Sequence, residues 1–297
     1  MCGGIGAGGR APLASGGARS HLFVNRLPPE PRVPSSIAYR PRSTSEIVDA
    51  AFQLLRHDYL QYVMLMALAY MPWVIIATVL GLNEAAAATN PAAFIVSYLV
   101  ALLWYVLVDA VLVIAASEAY LGRDVNVAAA FRTAFGRLGA ILWAGIIKSL
   151  AVGVGLLLLL VPGLYFLAKY FAIPATIVIE GRSGGGGLAR SADLSDGLKG
   201  HILKTLVLVW IIYIVLAVVA TLVAAGLAGA LLSSSPSLGA VVLQLVSAAF
   251  TILAYPVISV TQTLLYYDAR IRREGYDLEL MQQNLGASAP SAASATA

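Results

Sequence analysis

The chain is short of most of what soluble enzymes use. It has one cysteine, Cys2, which excludes an internal disulfide and any site built from several thiolates. Its three histidines, His21, His57 and His201, have no neighbour at metal-ligand spacing, and HExxH, GxSxG and Walker A motifs are absent. The segment GIGAGG (Gly4 to Gly9) has the glycine spacing of a dinucleotide loop. That loop needs a strand before it and a helix after it, and neither pattern is there. No apolar core of a signal peptide stands near the start. Charge is scarce as well, at 11% of 297 residues where an average soluble domain carries about 25%. These absences leave no catalytic residue, cofactor site or metal site to assign, and the sequence reads as non-enzymatic.

What the chain does have is long apolar runs. From Leu138 to Glu180 only Lys148, Lys169 and Glu180 are charged, and Pro162-Gly163 breaks the run. A bilayer core takes about 20 apolar residues per helical crossing, so this stretch predicts two crossings joined by a minimal turn. The rest of the chain repeats the pattern. The fold class expected is all-α, a polytopic membrane protein with six transmembrane helices at about 60–82, 92–117, 138–161, 164–180, 202–232 and 238–267. Pro72 and Pro256 fall inside spans, where neighbouring helices can satisfy the freed carbonyls. Residues 1–42, rich in Gly, Pro, Ser and Arg, and the Ala/Ser tail 283–297 read as disordered flanks of a membrane domain at 43–282.

Short amphipathic helices separate the runs. Ser43 and Glu46 have capping-box spacing, and Glu46, Asp49, Gln53 and Arg56 make a polar stripe opposite Ile47, Val48, Ala51, Phe52, Leu54 and Leu55. Asp124 to Arg137 repeats the theme, with Val127, Ala128, Phe131, Phe135 and Leu138 on one face. Both are expected to lie in the membrane interface. AAFQLLR (Ala50 to Arg56) is echoed by AAFRTAF (Ala129 to Phe135), which suggests a repeated unit of one interfacial helix and two spans. Gly181 to Gly200, with its four-glycine run, reads as a third linker. Gly153, Gly155, Gly226 and Gly229 read as points of close helix approach.

The basic residues give the orientation. All but two of the 19 Lys and Arg lie in the terminal segments or the two long linkers, counting Lys204 at the mouth of the fifth span, and none lies in the short turns near residues 86, 162 and 235. The positive-inside rule then places both termini and both linkers in the cytoplasm. The net charge of +4 therefore speaks of topology and not of nucleic acid. Asp109 and Lys148 lie within spans at depths that can match. A charge near the bilayer centre is costly unless it pairs or lines a cavity, so they form a candidate intramembrane pair. Lys169 reads as snorkelling toward the outer face.

The last candidate is the abruptly charged close of the final span. Tyr266 and Tyr267 suit the headgroup level. Arg270, Arg272 and Arg273 would meet anionic lipid headgroups, while Asp268, Glu274 and Asp277 interleave with them. Mixed signs predict pairing with the linkers, through Arg190 or Lys199, or docking of another membrane protein. LLYYDARIRREGYDLEL (Leu264 to Leu280) resembles the closing motif of the glycerophosphoryl diester phosphodiesterase membrane-domain family. RPRSTSEIVDAAFQLLR (Arg40 to Arg56), and Pro162 to Glu180 continuing into LARSADLSDGLKG, fit the same pattern, so the resemblance covers residues 40 to 282. It implies a bacterial multi-span domain of the cytoplasmic membrane. The phosphodiesterase activity of members with an attached barrel is not implied, since no such catalytic sequence follows Leu280. The function expected is a scaffold or assembly factor; the alternative is a transporter or channel subunit for a small solute or lipid.

Overall fold

The structure, a computed structural model, describes residues 40–80, 91–276 and 278. The flanks 1–39 and 279–297, residues 81–90, where the first short turn is expected, and Asp277 lie outside the described residues. Among those described there is no strand, and the chain is helical from Thr44 to Glu274 with short breaks. The helices are α1 (Thr44–His57), α2 (Tyr59–Val79), α3 (Pro91–Tyr120), α4 (Val127–Gly136), α5 (Leu138–Leu158) and α6 (Leu160–Lys169). After them come α7 (Ile173–Val178), α8 (Gly184–Ser195), α9 (Lys199–Ser234), α10 (Pro236–Ala254) and α11 (Pro256–Glu274). Six stretches are long and apolar enough to cross a membrane: Tyr59–Val79, Ile95–Tyr120, Leu138–Leu158, Leu160–Val178, Lys199–Gly226 and Leu238–Glu274. They fit a multi-pass membrane protein. The order is three times a short helix followed by a long hairpin, with α1, α4 and α8 as the short helices.

Helix α1 starts where the capping box predicts. The Ser43 N–H donates to Glu46 Oε2 at 2.7 Å, and the Glu46 N–H donates back to Ser43 Oγ at 3.4 Å. Its apolar face is not presented to lipid. Ile47, Val48, Ala50, Ala51, Leu54 and Leu55 are buried against protein. The helix runs lengthwise along α9 and α11, since Thr205 donates to Thr44 at its start and Phe52 packs beside Val209, Leu216 and Val257 further down. At the far end Tyr59 donates to the carbonyl of Leu253 at 3.1 Å. The apolar stripe that suggests an interfacial helix thus has a protein partner. So does Arg42, which is 7% exposed and belongs to the folded unit rather than to a loose flank ending at 42. Helix α4 differs. It fully buries only Ala130 and Ala134, half-buries Val127 and Phe131 against the core, and leaves Phe135 exposed.

The third linker is a helix. The four glycines form the first turn of α8, capped by Ser183, whose Oγ accepts the Gly186 N–H at 3.2 Å. They let α8 press onto two others. A Cβ on Gly184 would lie 2.9 Å from the Ala140 carbonyl oxygen of α5, and one on Gly187 would lie 2.7 Å from Ile177 Cγ1 of α7. Close approach is used at Gly145, against Val106 of α3, and at Gly155 against Gly163, but Gly153, Gly226 and Gly229 face open space. Low-propensity glycine is thus placed where the absence of a side chain sets the packing distance.

Two of the long apolar runs are broken. Between α6 and α7 the backbone turns at Tyr170–Ala172, because Pro174 cannot donate to the Tyr170 carbonyl. Ser191 of α8 is fully buried and mends the break. It accepts from the Ala172 N–H at 3.1 Å and donates to the Lys169 carbonyl at 3.0 Å. That contact places Lys169 beside α8 and not toward the opposite end, as snorkelling outward would require. The sixth span breaks at Tyr255, where Pro256 begins α11. The hairpin turn between α5 and α6 falls on Leu159 alone, so Pro162 and Gly163 lie inside α6.

Two glycines close together in α8 should therefore respond oppositely. Gly185 has nothing within 4 Å of an added Cβ, so Gly185→Ala raises stability by up to about 1 kcal/mol through helix propensity. Gly187→Ala forces a clash with Ile177 and lowers it by about 1 kcal/mol or more. Thermal unfolding of the two variants in detergent separates them, and equal shifts would contradict the packing described.

Candidate functional site

The last helix gathers the charged candidates. From Pro256 to Ile271, α11 is buried on most sides by α1, α3, α8 and α9. Asp268 stands near its end and is 3% exposed. Its Oδ1 accepts the backbone N–H of Arg42 at 2.7 Å. Its Oδ2 accepts Arg272 Nε at 2.7 Å and meets His201 Nε2 at 3.1 Å. Arg272 then donates from Nη2 to the Arg42 carbonyl at 2.7 Å. Asp268 and Arg272, one turn apart, grip residue 42 through both of its backbone polar groups. A buried carboxylate is costly unless compensated, and here it joins the segment before α1, the start of α9 and α11.

Glu180, just beyond α7, is a second hub. It accepts Arg190 Nε at 3.0 and 2.9 Å, the Tyr266 hydroxyl at 2.9 Å and Arg182 Nε at 3.3 Å. Arg190 extends Nη1 to Glu274 at 2.5 Å, and Arg270 reaches the same carboxylate at 3.1 Å. The expected pairing of the closing motif with Arg190 is thus present, whereas Lys199 turns to Asp196 at 2.8 Å. Tyr266 and Tyr267 are not at a wet boundary. Both are buried, and Tyr267 shares a hydrogen bond with Ser117 at 2.6 Å while stacking on Tyr120 at 4.4 Å. Gly275 takes the left-handed conformation (φ 66°) that ends α11. The chain folds back there, so Tyr276 stacks on Tyr267 and Arg270 lies 3.8 Å above the Tyr276 ring. Arg270 and Arg272 are therefore engaged with protein; Arg273 is exposed.

Asp109 is 7% exposed in the middle of α3, and its hydrogen bond comes from Ser259 of α11. Lys148 is near enough for its charge to act on Asp109 but makes no ion pair with it within 4.0 Å. The partner of Asp109 is thus a hydroxyl on the last span, a contact between distant helices that the spacing within α3 cannot reveal. Around them, Tyr255 packs on Tyr105 at 5.4 Å, and Tyr70 on Tyr105 at 5.6 Å. Among the described residues no group of three or more His, Cys, Asp and Glu gathers as metal ligands.

Glu180, His201, Arg42, Ser117, Ser191 and Ser259 escape the sequence reading. Glu180 reads as the mere end of an apolar run, and His201 drops out once no metal-ligand spacing surrounds it. Arg42 looks like part of the loose flank. No family model matches the chain, no curated protein matches it, and no solved structure matches its fold.

Removing the Asp268 carboxylate leaves Arg272 and His201 without it and frees residue 42. Asp268→Ala is expected to lose about 3 kcal/mol or more of unfolding free energy. Arg273→Ala, on an exposed side chain, changes it by no more than about 0.5 kcal/mol. Similar losses in denaturant titrations of the two would remove Asp268 from its role.

The cap of α1 carries a pH signature. The Ser43 N–H, with Arg40 beside it at 2.6 Å, holds the Glu46 carboxyl down from 4.5 to about 2. A depressed carboxylate favours the folded form above its unfolded value, and the advantage is lost as pH falls through the folded value. The cap should therefore persist from pH 5 to about 3 and fail only toward 2. The side-chain carbon resonance of Glu46 reports this directly; a midpoint at the ordinary carboxylate value would refute it, and Arg40→Ala should move the midpoint upward.

Proposed function

We propose that this chain is a non-enzymatic scaffold or assembly factor of the bacterial cytoplasmic membrane, with both termini on the cytoplasmic side. The observation that carries this reading is the engagement of its charged groups with one another. Asp268, Glu180 and Glu274 are each held by arginines of the same chain, an arrangement suited to rigidity more than to turnover. The cluster stands where the basic residues collect, which under the positive-inside rule is the cytoplasmic face. The resemblance of Leu264 to Leu280 to the membrane-domain family bears on the bacterial membrane alone and not on the activity. Exposed Arg273 and Phe135 give this face points of contact for anionic headgroups or another membrane protein.

A second reading, a transporter or channel subunit for a small solute or lipid, is favoured by Asp109 and Lys148, charges inside apolar helices that do not neutralise each other in direct contact. Proteoliposomes distinguish the two. A scaffold carries no proton or ion current, so a trapped pH-sensitive dye should respond as in protein-free vesicles under an imposed potential. A flux that Asp109→Asn abolishes would replace the scaffold with the transport reading.

A further inference from the structure

The hairpin of α5 and α6 ends in residues no polar side chain accompanies. Leu157, Leu158, Leu159, Leu160 and Val161 are 66–87% exposed, and the nearest charged residues along the chain are Lys148 and Lys169. Five such neighbours at a tip would not rest in water. The two spans expected at 138–161 and 164–180 would carry this tip across the bilayer, but its position in the bundle argues otherwise.

Tyr165 of α6 fixes that position. The Lys199 ammonium, at the start of α9, lies 5.5 Å from its ring. Leu159 is six residues further, about 9 Å along a helix. Even with both side chains fully extended, Leu159 is within about 26 Å of the Lys199 backbone by standard bond lengths and helical rise. Helix α9 itself rises about 52 Å from Lys199 to Ser234 at 1.5 Å per residue. The tip therefore stays at least about 26 Å short of the Ser234 turn, and with Lys199 at the near boundary of a ~30 Å hydrocarbon core it stops short of the far boundary.

The packing agrees. The main neighbours of α5 and α6 are α3, α4, α7, α8 and α9, whereas α2 and α10 join each other near Thr78 and Gln244. At its base the hairpin is held to α8, through Ser191 and through Gly184 against Ala140. At the turn only Leu159 is non-helical, its N–H donates to the Gly155 carbonyl at 3.0 Å, and Pro162 has no N–H to satisfy.

We infer that the α5–α6 hairpin is a re-entrant wedge: it enters the bilayer from the side that carries Lys199 and ends among the acyl chains without reaching the opposite surface. The inference rests on the membrane reading of the chain. It makes four of the six apolar stretches true crossings and leaves both ends of the chain on the same side.

The test uses the full chain in native membrane vesicles, with Cys2→Ser as background and single cysteines at Gly186, Leu159 and Ser235. A membrane-impermeant maleimide is applied to right-side-out and inside-out vesicles. Gly186→Cys should label from one side, Ser235→Cys from the other, and Leu159→Cys from neither. A nitroxide at Leu159→Cys should be relaxed by oxygen and shielded from a water-soluble nickel chelate, the signature of hydrocarbon. Labelling of Leu159→Cys from the Ser235 side means that the hairpin crosses, and labelling from the Gly186 side means that the tip lies in water; either overturns the wedge. Shielding from oxygen and nickel alike would mark a protein contact, a second copy included, and overturn it too. If Gly186→Cys and Ser235→Cys label from the same side, the topology itself fails and takes the wedge with it.

Discussion

A carboxylate almost out of reach of solvent governs this structure. Asp268 is 3% exposed, and a guanidinium, an imidazole and a peptide N–H converge on its two oxygens. Those three groups come from α11, α9 and the segment before α1, so compensating one charge fixes three parts of the chain. Glu180 repeats the device with α7, α8 and α11. Desolvated charges of this kind add little net stability, but breaking them is expensive. They suit a junction that must adopt one arrangement, in a molecule whose apolar surfaces alone would permit many.

The two ends of the bundle consequently follow different rules. Near Asp268, packing is specified by hydrogen bonds, stacked tyrosines and glycines at set positions. Along α9, most side chains face outward and are apolar. Lipid tails are as apolar as leucine, so burial there supplies no driving force, and position has to come from elsewhere. Gly145 against Val106, Trp104 donating to the Ala69 carbonyl and Ser259 on Asp109 provide it within the apolar region.

Much of the fold was legible because it depends on local properties. Apolar run length marked all six stretches, and Ser43 with Glu46 marked the start of α1. The interleaved signs of the closing motif pointed to the linkers, through Arg190 or Lys199, without naming which carboxylate would meet Arg190; it is Glu274. The rest depends on contacts between distant segments. A four-glycine run has poor helix propensity, and only the nearness of α5 and α7 explains why it is helical. Tyr266 and Tyr267 have the composition of a boundary and the burial of a core, because Glu180 and Ser117 stand in for water as their hydrogen-bond partners. The amphipathic stripe of α1 was visible, but the sequence cannot say whether lipid or protein covers it. Asp109 shows its charge in the sequence and conceals its partner, 150 residues away on another helix.

The grip on residue 42 spans 226 residues of sequence. At ribosomal rates of about 5–20 residues per second, Asp268 is synthesised roughly 11 to 45 seconds after Arg42. Throughout that interval α1 has emerged, but α11, one of the two helices it runs along, is not yet complete. Its apolar face must wait against the membrane surface or an insertion factor until α11 follows and draws it away from the lipid.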